Sequence, residues 1–142
     1  MTTRQVTKQS VSDINNLLRQ LVHDPKTYRP VSLSHLRSIV GNKVTPVVVV
    51  RDGTRVIGLG MLVIVTKFRG QYAYIEDMMV DGEYRGRGLG GAIARKLIAI
   101  ARAKKVKTIE LSTRPSRVPA NKLYQKLGFE PKETNVYRMN LK

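Results

Sequence analysis

YAYIEDMMVDGEYRGRGLGGAIARKLIAIARA, residues 72–103, decides the fold. Residues 72–80 read as a strand and 81–91, DGEYRGRGLGG, as a tight basic turn. Residues 92–103 follow as a helix with Ile93, Leu97, Ile100 and Ala101 inward. Where a strand runs into a helix, the first helical N–H groups lack intrahelical partners and the dipole is positive. Gly86, Gly88, Gly90 and Gly91 let the backbone curl and let a ligand approach without Cβ atoms in the way. Arg85 and Arg87 add positive charge. On physical grounds this is a cradle for a pyrophosphate.

Before it, Thr3 to Thr7 reads as a short edge strand. Ser10 with Asp13 resembles a capping box opening a helix over 11–22, in which Val11, Ile14, Leu17, Leu18 and Leu21 recur at helical spacing. Residues 23–30 form a loop, and Ser32 or Ser34 caps a second helix that ends at Gly41-Asn42. Residues 45–50 and 56–66 are strands joined at Asp52-Gly53, a strong hairpin signal. After the central helix, 107–113 is a strand parallel to 72–80, because a strand–helix–strand crossover makes it so. Residues 120–129 form a short helix ending at Gly128, and 135–142 alternate as a final strand. The fold class is α/β (α+β): a mixed, mostly antiparallel sheet flanked by helices, with one parallel crossover at the Gly-rich turn.

The 142 residues suit one domain, 1–142. The chain has no cysteine, which excludes disulfides, thiolate nucleophiles and Cys-ligated metals. His23 and His35 lie away from any carboxylate cluster, so no metal site is expected. No N-terminal apolar run reads as a signal peptide, and no apolar stretch nears about 20 residues. A soluble, cytoplasmic protein with no membrane partner is the expectation. The 26 basic and 10 acidic residues leave a formal charge of +16, spread evenly over both halves rather than in a tail. That points to an anionic ligand or a polyanionic neighbour. Six Tyr, two Phe and no Trp, without a ribonucleoprotein pattern, make nucleic acid the less favoured partner.

Gly86, Gly88 and Gly91 fit G-x-G-x-x-G, with Glu110 roughly where a dinucleotide-binding acid would lie. Glu76 and Asp77 interrupt the preceding strand, that strand is hairpin-linked, and too little chain follows for a doubly wound sheet. Arg85, Gly88 and Gly90 instead form R-x-x-G-x-G. With MMVDGEYRGRGLG (78–90) and LYQKLGFEP (123–131), the stretch from about 45 to 142 resembles the GNAT-family N-acetyltransferases.

The resemblance implies acetyl-CoA as cosubstrate. It places the pyrophosphate on Arg85, Gly86, Arg87, Gly88, Leu89, Gly90 and Gly91, and the pantetheine arm along Met78, Met79 and Val80. A β-bulge is expected in this strand, with the Met79 amide donating to the thioester oxygen. Tyr124 matches the tyrosine that protonates the leaving sulfur. Glu76 is the base candidate, on the face of Met78 before any bulge, with Asp77 pointing the other way. Many members carry an asparagine seven positions before the tyrosine. Arg117 stands there, and Asn121 is its substitute for contacting CoA. The acceptor is a small-molecule or protein amine, with a lean to a small anionic amine such as an amino-sugar phosphate. A homodimer is what the family leads one to expect. A non-catalytic CoA- or RNA-binding module is the alternative.

Overall fold

The computed structural model describes residues 1–22 and 24–141. Residues 1–112 form one compact unit and residues 113–141 belong to a second. The first unit holds helices α1 (Lys8–Leu21), α2 (Leu33–Gly41) and α3 (Leu89–Ala103), and strands β1 (Val47–Asp52), β2 (Arg55–Lys67), β3 (Gly70–Val80) and β4 (Thr108–Leu111). The sheet runs β1-β2-β3-β4; the first two pairings are antiparallel and β3–β4 is parallel. The mixed sheet with a single parallel crossover is therefore as the sequence predicts. Helix α4 (Val118–Lys126) belongs to the second unit.

The sheet has a helix layer on each face. Leu59 and Met79, partners across β2 and β3, join Ile14 and Leu17 of α1 and Leu36 of α2 in one buried cluster. Gly58 and Gly60 alternate with Leu59 and so face the other way, against α3. A Cβ on Gly60 would lie 2.9 Å from Ile93 Cγ2 and 3.1 Å from Leu97 Cδ1. Glycine here is what lets α3, which opens at the Gly-rich turn, rest directly on the β2 backbone.

The N-terminal segment differs from the sequence reading. Thr3–Gln5 is a turn of 3₁₀ helix rather than a strand, because the Gln5 side chain reaches back to accept the Thr2 N–H at 2.9 Å. Helix α1 starts earlier than expected. Thr7 is its cap and Ser10 the return partner, so the box is Thr7–Ser10 and not Ser10–Asp13. Asp13 is buried and committed elsewhere: its Oδ2 accepts the Val56 N–H of β2 at 2.9 Å and its Oδ1 accepts from Gln9 Nε2 at 2.7 Å. Asp13→Ala leaves that strand N–H without a partner in the interior. The expected loss is about 1.5–3 kcal/mol of stability, read from the urea midpoint, with Asp13→Asn losing less because it keeps an acceptor oxygen.

In the second unit, α4 opens with Pro119 in its first turn, and Gly128 takes φ +87 beyond its end. The final strand expected at 135–142 is not formed over 135–141; Lys142 lies outside the described residues. Val136, Tyr137, Met139 and Leu141 are all more than four-fifths exposed. Their alternation defines a face, but a strand needs a backbone ladder and none reaches them.

Candidate active site

Two local irregularities build the site. The first is a bulge in β3. Leu59 pairs with Met79 and Met61 with Glu76, so Asp77 and Met78 together oppose Gly60. Asp77 takes φ +49, a left-handed conformation that is costly for a residue other than glycine. The extra residue reverses the alternation beyond it. Glu76 and Met79 now share the α1–α2 face, and Met78 turns to the α3 side, within contact distance of where a Gly60 Cβ would be. This corrects the expectation that Glu76 and Met78 share a face. Pairing of β3 with β4 ends at Ile75↔Leu111, so residues 76–80 have no β4 partner on that edge.

The ladder also fixes which amides are free. Asp81 N donates to Ile57 O at 2.9 Å, so the Leu59–Met79 pair two residues back is again the hydrogen-bonded kind. The Met79 N–H therefore points at β2, and those of Met78 and Val80 point away from it. The Met79 amide, expected from the resemblance to be the thioester donor, is thus engaged with β2.

The second irregularity is the loop 81–88. Asp81, 5% exposed, accepts the Glu83 N–H at 3.1 Å and opens a 3₁₀ turn, Gly82–Tyr84. Arg55 Nη2 holds its other oxygen at 3.0 Å, and Gln20 of α1 accepts the Gly82 N–H at 2.9 Å. Tyr84 donates to Asp52 at 2.7 Å, which raises its pKa above the usual tyrosine value. Its ring lies 5.0 Å from the Arg87 guanidinium. Arg87 also donates to Glu83 O, and Arg85 Nε to Val80 O at 3.0 Å. Both arginines are thus held by the chain's own acceptors. Gly86 and Gly88 each have φ +76. Helix α3 then starts at Leu89 with no side chain among the described residues capping it. Residues 85–91 accordingly fit a pyrophosphate: left-handed glycines, fixed cations and an uncapped helix start. Sequence reasoning found the arginines and glycines. It missed Gln20, Asp52 and Arg55, whose partners are tens of residues away.

Beside the bulge is a cavity of about 240 Å³ bounded by α1, α2, the loop between them, β1, β2 and β3. Ten of its thirteen lining residues are apolar, among them Leu18, Leu36, Leu59 and Met61. The polar three are Arg29, His35 and Asp77. Burial raises the Asp77 pKa. Partial burial and the charge of Asp77 raise that of Glu76; both residues keep an exposed side to solvent. Asp77, which the strand reading points to the other face from Glu76, is the carboxylate on the cavity wall.

Tyr124 and Asn121 lie on α4. The Tyr124 ring meets Phe129 edge-on, centroids 5.9 Å apart. Burial raises the Tyr124 pKa, partly offset by Arg117. Asn121 Nδ2 donates to the carbonyls of Arg114 and Arg117 at 3.0 Å each. Its amide N–H groups therefore secure the turn before α4, which leaves its carbonyl oxygen as the atom for any ligand.

The model of the acetyltransferase (GNAT) family matches residues 12–129, spanning the bulge, the loop and α4. The chain belongs to the GNAT family of acetyltransferases. Glucosamine 6-phosphate N-acetyltransferase of Trypanosoma brucei brucei is 39% identical over 85 residues, 58% of this chain and 56% of that protein. Thialysine N-epsilon-acetyltransferase of Bos taurus is 32% identical over 80 residues, 56% of this chain and 47% of that protein. The matches thus span about half the length of these relatives. The crystal structure of a Trypanosoma brucei acetyltransferase superposes with a TM-score of 0.76 at 29% identity, covering 95% of each chain. An aminoglycoside acetyltransferase from a soil metagenome reaches 0.85 at 15% identity, over 100% of this chain and 93% of that one, a likeness of fold alone. Among the described residues no helix is long and apolar enough to cross a membrane.

Proposed function

We propose that residues 1–142 act as a single acetyl-CoA-dependent N-acetyltransferase domain that moves an acetyl group to a primary amine by direct attack. The observation that carries this reading is the bulged end of β3 running into the left-handed Gly86–Gly88 loop and the uncapped start of α3. Arg85 to Gly91 hold the pyrophosphate of acetyl-CoA, and Met78 to Val80 offer main chain to its pantetheine arm. Asn121 adds a carbonyl acceptor. The amine nitrogen forms a bond to the thioester carbon as the carbon–sulfur bond breaks. Glu76 takes the amine proton, directly or through water. Tyr124 gives its proton to the sulfur, and the Met78 amide meets the negative charge that builds on the thioester oxygen.

The acceptor is a small amine that carries an anionic group, a phosphate or a carboxylate. The formal charge of +16 favours anionic over cationic substrates. The relative named for glucosamine 6-phosphate acts, by its name, on one member of that class.

The first test is the melting temperature with acetyl-CoA, with NADH and short RNA alongside. A ligand at about 100 times its Kd stabilises by about 2.7 kcal/mol, which raises the midpoint by several degrees. The expected shift is with acetyl-CoA alone. A shift with RNA and none with acetyl-CoA would replace this reading by an RNA-binding module.

A further inference from the structure

The cavity beside Asp77 has a chemistry that narrows the acceptor. This step rests on the acetyltransferase reading above. Its walls are mostly apolar, and an amino sugar placed there would lose water from its hydroxyls with few partners to replace it. Its volume, about 240 Å³, is below the roughly 300–1,000 Å³ of pockets that take drug-sized ligands. That suits a small metabolite rather than a peptide chain.

The charges on the wall come as one cation and one anion. Neither Arg29 nor Asp77 forms an ion pair among the described residues, with each other or with another group. Arg29 is nevertheless fixed. Exposed on the cavity rim, it has its Nη1 donating to the carbonyls of Lys26 and Tyr28, both at 2.9 Å, while Nη2 and Nε have no hydrogen bond among the described residues. Asp77 is set by the left-handed bulge at the end of β3 where the acetyl group is to be delivered. A guanidinium and a carboxylate, each without an ion pair, on the exposed side of one apolar space match a molecule whose anion and amine stay at the opening and whose hydrophobic body lies inside.

We propose that the acceptor is a free α-amino acid with an apolar side chain, its carboxylate held by Arg29, its amino group by Asp77 and its side chain by the wall of Leu18, Leu36, Leu59 and Met61. His35 lies on the same wall and serves as a second donor to the carboxylate. Arg29 and Asp77 are in this role specificity-determining residues, and Glu76 remains the base.

The experiment measures thiol release from acetyl-CoA with L-leucine, L-methionine and L-phenylalanine, against leucinamide and glucosamine 6-phosphate. The expected kcat/KM for the apolar amino acids exceeds that for both comparison amines by at least about tenfold, since each leaves a charged or polar group unmatched. Arg29→Gln should raise the KM for leucine by about 10- to 100-fold with kcat nearly unchanged, and should erase the preference for leucine over leucinamide. Preference for leucinamide, for glucosamine 6-phosphate, or an Arg29→Gln effect equal on every amine would overturn the proposal. So would inactivity of the amino acids in a protein that acetyl-CoA still stabilises; that result leaves the acetyltransferase reading intact. If acetyl-CoA does not stabilise the protein at all, both fall together.

Discussion

Tyr124→Phe should lower kcat by about 100- to 10,000-fold, the usual worth of a placed general acid. At 1.36 kcal/mol per decade this is about 2.7–5.4 kcal/mol in the barrier. The substitution removes one oxygen and keeps the ring that meets Phe129 edge-on, so the melting temperature should barely move. The KM for acetyl-CoA should change little, because the hydroxyl is needed only as charge develops on sulfur. Burial holds the Tyr124 proton to higher pH than an ordinary tyrosine, so the basic limb of the wild-type kcat profile should lie above the normal tyrosine range. Steady-state rates of thiol release across pH decide it. A variant with wild-type kcat would remove Tyr124 from the chemistry.

Glu76→Gln should cost a similar factor, about 100- to 10,000-fold in kcat/KM for the amine. Here the pH profile carries the assignment. A base works only when deprotonated, and burial with the neighbouring charge of Asp77 raises the Glu76 pKa. Wild-type activity should therefore fall, on acidification, at a higher pH than an ordinary glutamate would give, and the variant should lose that limb. The stability sign runs the other way from a loss of folding. A carboxylate whose pKa is raised in the fold weakens the fold once pH exceeds its unfolded pKa. At neutral pH Glu76→Gln should melt no lower than wild type, which separates a chemical defect from a folding one. If Asp77→Asn abolishes the acid limb and Glu76→Gln preserves it, the two carboxylates exchange roles.

The parts legible in the sequence are those whose cause is local. The Asp52-Gly53 hairpin, the Gly-rich turn and α3 follow from residue types within a few positions, and all are present. The cap of α1 was misread because Asp13, three residues after Ser10, resembles a capping acid; its true partner is the Val56 N–H, 43 residues on. The bulge was foreseen only from the family resemblance. Its position is set by the pairing of Glu76 with Met61, which strand alternation ignores, and that pairing decides that Met79 rather than Met78 shares the face of Glu76. The Arg29–Asp77 cavity was invisible for the same reason: its walls come from six separated segments. The tail at 135–141 shows the converse, a strand pattern without a ladder.

Helix α1 touches both the cavity and the loop proposed to bind the two substrates. Ile14 and Leu18 line the cavity, and two residues beyond Leu18 the Gln20 side chain holds the Gly82 N–H at the entrance to the Gly-rich loop. One rod thus reaches both the cavity and the Gly-rich loop. If acetyl-CoA shifts the affinity for the amine through that rod, thermodynamic reciprocity requires the amine to shift the affinity for acetyl-CoA by the same factor. The strength of that mutual effect would then depend on one glutamine side chain, which belongs to neither the cavity wall nor the Gly-rich loop.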